Sequence, residues 1–236
     1  MQPAEFQNEH PLAEAFRQFV RDTSFPCVGA KSALARGTMN FIIARDMRSA
    51  WDDLRIYSAL YGFTNRYRAD PALFQSVVLL FEDAAPMSEE AFEGNLWRRL
   101  QSLSDKDDWL GQPFDPRVSG DPEDPHFSLS FGGEAFFVVG LHPGASRPAR
   151  RFQVPAMVFN LHDQFERLRA DGRYEKLRET ILTRDVAIAG SINPMLARHG
   201  ASSEARQYSG RVVDDAWRCP FSRRQAANEG ATSDAA

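Results

Sequence analysis

Cysteines and long apolar runs are scarce in this chain. Its 236 residues include two cysteines, Cys27 and Cys219, too few for the disulfide framework of a small secreted fold, so both are read as thiols. No apolar run approaches the roughly 20 residues of a membrane span. The N-terminal stretch, with Glu5 and Glu9, lacks the basic and apolar pattern of a signal peptide. A cytoplasmic protein with no membrane partner is expected. Basic surplus is lacking too: the formal net charge is -4, which argues against a non-specific nucleic-acid binder, whose phosphate contacts require excess positive charge. No histidine pair stands at i and i+4 with an accompanying acid, and there is no Cys-x-x-Cys, so a zinc site has no support. A Gly-x-Gly-x-x-Gly after a strand, a Walker-type loop and a Gly-x-Ser-x-Gly elbow are all missing. No internal repeat occurs.

The length fits one large domain, which buries enough surface to need no staples. Leu12, Phe16, Phe19 and Val20 recur at helical spacing between Pro11 and Arg21. A β-rich run at 40–44 precedes a helical pattern from Ala50 to Tyr61. The continuous apolar run 75–81, bounded by Pro71 and Pro86, predicts a central strand buried on both faces. Ser88 is placed to cap a helix through Leu103, with Glu89 and Glu90 in its first turn. Residues 105–125, rich in Asp, Pro and Gly, read as a long loop that could cover a pocket. A two-glycine turn at 132–133 joins strands 127–131 and 134–141 as a hairpin. A strand at 156–159 and helices at 162–170 and 174–183 follow. This order predicts an α+β fold: a single mixed, largely antiparallel sheet packed by helices. The domain is expected over 1–222, with a disordered tail at 223–236.

Function is sought in the last third. There, His, Arg, Asn, Gln, Tyr and Glu crowd among Gly and Pro turns, poor material for an apolar core and good material for a polar pocket. His142 leaves a strand directly into Pro143-Gly144, a geometry that suits a metal or heme ligand; a loop histidine bonded to backbone is the plain alternative. His162 competes for that role. His10, His126 and His199 lie in polar segments and carry little weight. Arg147, Arg150 and Arg151 follow the hairpin, and Arg206 and Arg211 flank Gln207-Tyr208-Ser209-Gly210. Five guanidinium groups from two loop-rich segments suit carboxylates, which Arg grips in bidentate fashion. Surface ion pairing is the ordinary reading for any one of them, and the favoured one for Arg150 and Arg151. Glu204 and Glu134 could pair with a cationic group, and Tyr208 could offer a hydroxyl or simply fill the core. Cys27 and Cys219 each sit beside Pro and aromatics, where an inert buried thiol competes with a thiolate ligand.

Several of these motifs together carry a resemblance: Phe25-Pro26-Cys27, the block from His142-Pro143 to Phe152, Phe159-Asn160 to Phe165, Asn193-Pro194, Gln207 to Arg211, and Trp217 to Phe221. In their order and spacing the chain resembles the YqcI/YcgG-like family, from about Phe16 to Phe221. Its characterised members look like heme-dependent guanidine N-hydroxylases of the guanitoxin and hydroxyarginine type. The resemblance implies a b-type heme, held without covalent attachment since no Cys-x-x-Cys-His is present, and O2 or peroxide as co-substrate. It also implies a small guanidino amino-acid substrate and a separate electron donor; a homodimer is also among the partners considered. Under that reading His142 ligates the iron, with His162 or Cys27 as alternatives. Arg147, Arg151, Arg206 and Arg211 hold propionates or a substrate carboxylate, and His162, Glu204 and Tyr208 serve the chemistry. A heme-binding carrier or sensor that performs no oxidation is the alternative function.

Overall fold

The computed structural model describes residues 4–193, 195 and 202–223. Its framework is one five-stranded sheet in the order β1-β2-β5-β4-β3, built from β1 (Met39–Ala44), β2 (Ser76–Phe81), β3 (Leu129–Phe131), β4 (Glu134–Leu141) and β5 (Ala156–Leu161). β1 and β2 run parallel, and the other three pairings are antiparallel. The sheet is therefore mixed and the fold α+β, as the strand and helix order predicts. All six residues of β2 are buried, which explains why that segment is a continuous apolar run and not an alternating one.

Helices cover both faces. α3 (Asp53–Ala69) and α4 (Glu89–Trp109) lie on one face, against Ile42, Val77, Leu79, Phe136, Val138, Met157 and Phe159. α1 (Pro11–Arg21) and α2 (Val28–Ala35) lie on the other, against Phe41, Ile43, Val78, Leu80 and Leu141. Strand alternation sorts the side chains between the two cores, because successive residues point to opposite faces. α5 (His162–Ala170), α6 (Tyr174–Ala189) and the short α7 (Ala205–Tyr208) follow the sheet. Local chemistry sets the boundaries. Ser88 Oγ accepts from Ala91 N–H to open α4, Pro11 occupies the first turn of α1, and Gly190, at φ +70°, stops α6 in the left-handed conformation. Gly132 and Gly133, at φ +58° and +83°, make the hairpin turn, for which a two-residue loop with positive φ matches strand twist.

Four expectations change, the first being that α6 runs on to Ala189 and does not end at 183. α2 carries no amphipathic stripe and escapes a search by period; it is opened by Cys27, whose Sγ accepts from Ala30 N–H at 3.4 Å. α3 runs on to Ala69 because Phe63, Thr64 and Tyr67 keep burying against the sheet while Arg66 and Arg68 fill its solvated last turn. α4 likewise extends through the acidic stretch to Trp109, since Asp107 points inward and accepts from Tyr57 O–H at 2.7 Å and Gly132 N–H at 2.8 Å. The loop that follows is pinned to the hairpin. Buried Asp115 accepts from Ala135 N–H at 2.8 Å and from Arg117, and its own N–H donates to Ser130 Oγ. Of the expected tail, Arg223 is described, 4.0 Å above the Phe114 ring; 224–236, like His199 and Pro194, lie outside the described residues.

The free side of β1 is occupied by the N-terminal segment. Gln7 N–H donates to Phe41 O at 2.8 Å, and the side-chain amides of Asn8 and Gln7 accept from Phe41 N–H and Ile43 N–H at 3.0 and 2.9 Å. Arg55 caps Ile43 O. At the other contact, β4 meets α4 so closely that a Cβ on Gly140 would lie 2.7 Å from both Leu96 and Phe92. Gly140→Ala should therefore destabilise the fold by about 1–3 kcal/mol through overpacking, read as a lower urea midpoint with unchanged far-ultraviolet dichroism.

Candidate functional site

A cavity of about 300 Å³ opens on the face of β4 and β5 that α1 and α2 share. Its floor is Phe137, Val139 and Leu141 from β4 and Val158 and Asn160 from β5, the residues that alternation turns away from α4. Phe16, Phe25 and Phe74 form apolar walls, and α6 closes the cavity with Leu177, Ile181 and Asp185. No residue of the 110–128 loop lines it. The cover expected of that loop is supplied by α6 instead.

Into this apolar enclosure project Cys27, Arg147, Arg150, Asp185, Glu204 and Gln207. The Arg147 guanidinium is ion-paired with Asp185, both more than nine-tenths buried, and it donates to Ser191 O at 3.0 Å. That pair welds the loop after β4 to α6. Arg150 donates instead to three backbone carbonyls: Gly140 and Tyr208 at 3.0 Å and Gln207 at 2.9 Å. Loss of water around it lowers its basicity to about 10. Burial pushes the Cys27 thiol above its ordinary value, and the Ala30 and Gly29 N–H groups and the Arg150 charge oppose that shift. Two other polar side chains are committed to the framework. Gln164 pairs with both backbone groups of Gln75, at 2.7 and 2.8 Å, and Asn160 accepts from Ser76 O–H at 3.0 Å.

The expected site residues do not all converge there. Arg147 and Glu204 line the cavity. His142 continues the even-numbered alternation of β4 and so faces α4, on the opposite side of the sheet. Its ring stacks on Phe92 at 4.3 Å between centroids, it is buried, and its Nδ1 has no hydrogen-bond partner among the described residues. His162 starts α5 in a separate crevice with Arg117, His126 and Glu166, its Nε2 3.9 Å from the Glu166 carboxylate. Tyr208 is fully buried in the α4-side core, stacked on Trp97 at 5.6 Å, with its hydroxyl donating to Phe136 O at 3.1 Å. Arg151 is exposed and donates to Ala145 O and Ser146 O of its own loop. Arg206 lies by Trp217 and Asp214. Arg211 is held by Glu93 at 2.5 and 2.9 Å on the α4 side. Glu134 pairs with Arg117 at 2.8 Å. Both cysteines are free thiols, and only Cys27 reaches the cavity.

Sequence reading misses Asp185 altogether, because it ends this helix at 183, whereas α6 runs to Ala189 with Asp185 facing inward among otherwise weakly patterned residues. It also assigns Arg150 to the surface. The one signal for Arg150 was its position in the 147–151 cluster, directly after a strand end.

Two expected outcomes follow. Asp185→Ala strands a buried guanidinium and should cost about 3–5 kcal/mol, whereas Arg151→Ala, at an exposed site, should stay within about 0.5 kcal/mol in denaturant titrations. Burial holds His142 below its usual value, so the unfolded chain takes up this proton first as pH falls. The contribution of His142 is intact above the ordinary histidine range and is lost as pH drops through it. Asp107, pushed up to about 6 by burial, acts with opposite sign, its contribution fading as pH rises through that value. The readout is thus a difference: between pH 7.5 and 5.5 the wild type should lose more stability than His142→Phe.

Among the described residues no helix is long and apolar enough to cross a membrane, and no three His, Cys, Asp or Glu side chains gather as a metal cage. No curated protein and no solved structure matches the chain. A family model does, over residues 16–222, a span that contains every cavity-lining group named above. By that match the chain belongs to the YqcI/YcgG family.

Proposed function

We propose that this chain is a heme-dependent monooxygenase that hydroxylates a guanidine nitrogen of free arginine or a related guanidino amino acid, and that the cavity over β4 and β5 is its site. The activity is the one that the family resemblance implies. The observation that carries it to this cavity is the meeting of a thiol, Cys27, with the acids Asp185 and Glu204 inside one apolar-walled space.

The residues present fit a heme ligated by Cys27 better than one ligated by histidine. Cys27 Sγ lies at the start of α2, where Ala30 N–H points at it and, against the burial that raises its pKa, the Arg150 charge favours its anion; backbone donors and nearby cations help a thiolate. His142, across the sheet, and His162, in its own crevice, do not line this space. A thiolate-ligated heme would supply the activation of O2, with two electrons from a separate donor, or of peroxide without one. The rest is done by the chain. Phe16, Phe25, Phe74 and Phe137 wall the site with apolar surface, beside which charge interactions are stronger than in open water. The Glu204 carboxylate attracts the cationic guanidinium end of the substrate. Asp185, already spanning to Arg147, fixes α6 over it. Cys27 would hold the iron as the thiolate, giving up its proton as metal-binding thiols do.

Hemin titration followed at the Soret band tests this reading. The wild type should bind hemin, and its ferrous carbonyl complex should show the red-shifted absorption of thiolate ligation. Cys27→Ala should weaken hemin at least by the roughly ten-fold that loss of even an outer-shell partner costs a metal site. His142→Ala should leave the spectrum unchanged. Absence of a Soret band in the wild type would sink the proposal; a band without hydroxylated product from any guanidino compound would leave a heme carrier or sensor.

A further inference from the structure

Arg147 and Arg150 lie three residues apart and share a cavity wall, yet their charges are balanced in different ways. Arg147 has a carboxylate, Asp185. Arg150 has none within ion-pairing distance among the described residues; its three hydrogen bonds all go to neutral carbonyls. Asp185, the acid whose field acts on it most, is committed to Arg147. A half-buried guanidinium without a counter-charge is an unfavourable arrangement, and an anion relieves it.

The donor count points the same way. Arginine has five N–H donors. Nη1 donates to Gly140 O and Tyr208 O, and Nη2 donates once, to Gln207 O. That leaves Nε–H and the second Nη2–H without an acceptor among the described residues, on a side chain that lines the cavity. The group is also held in place. Gly210, at φ +83°, lies against it so closely that a Cβ there would come within 3.2 Å of Nη1 and 3.3 Å of Cδ. A fixed cation beside the apolar strip of Phe137, Val139 and Leu141 suits an acid with a hydrocarbon stem.

We propose that Arg150 is the carboxylate-binding point of this cavity, and that the ligand presents a carboxylate there with its apolar chain along the β4 floor. The inference concerns the same cavity as the proposed activity but does not require heme chemistry. The carboxylate could belong to a small acid or to a heme propionate, and the two are separated by probe.

Calorimetric titration of the full chain with hexanoate and with hexanamide, its neutral isostere, reads the first source. Titration with hemin and with hemin dimethyl ester reads the second. A small-acid site should give a preference for hexanoate over the amide of roughly ten-fold, the size of one charge-assisted bond. A propionate site should give a similar preference for hemin over its ester. Arg150→Gln should erase whichever preference is present, and Arg151→Gln should leave it intact. Because Arg150 also ties three carbonyls, Arg150→Lys, which keeps the charge but loses the fork, serves if the glutamine variant does not fold. The acid and amide comparison in the wild type needs no variant. Neither preference in the wild type, or a preference that survives both Arg150 substitutions, overturns the proposal. A preference for the acid without turnover of guanidino compounds would sink only the activity.

Discussion

One wall of the cavity is tied by a single guanidinium that takes three backbone carbonyls from two elements. Arg150 reaches Gly140 at the end of β4 and the carbonyls of Gln207 and Tyr208 in α7, elements far apart in sequence. Remove those bonds and the carbonyls of a strand end and a short helix lose their donor in a region with little water, at a cost comparable to several lost hydrogen bonds. The Arg147–Asp185 pair acts next to it in the same way, anchoring α6 to the loop after β4. The two arginines thus divide the work. One is neutralised and structural, and the other is structural on one edge and open on the other.

This division explains why a motif that reads as a uniform arginine cluster is not uniform in space. Sequence shows five arginines near two turns, but the strand period decides where each turn starts. Leu141 ends β4 pointing to the cavity, so His142, one residue on, points to α4 and stacks on Phe92. A shift of one position would have exchanged their faces. Arg211 is drawn away by Glu93, an acid of α4 that no local pattern connects to it.

Other parts were legible for physical reasons that can be named. The hairpin announces itself through two glycines that tolerate positive φ, β2 through its unbroken apolar run, and α4 through Ser88 and its following acids. α2 and Asp185 were not legible, since neither lies in a segment whose burial follows a single helical face. The extra turn of α4 was hidden by its acids, which normally mark solvent but here include Asp107, satisfied by Tyr57 and Gly132. Buried polar groups with distant partners are the part of a fold that periodicity cannot carry.

The covered side of β1 has a consequence for association. Exposed strand edges invite another chain to continue the ladder, and proteins that remain discrete obstruct them. Here Gln7 and Asn8 use their amide side chains as substitutes for a neighbouring strand, so the obstruction is made from the chain's own leading segment and involves no proline, bulge or lysine. Two copies cannot merge into one continuous sheet along that rim while the segment stays in place. Self-association there would be a domain-swap problem, requiring residues 7 and 8 to peel away before any foreign strand could dock.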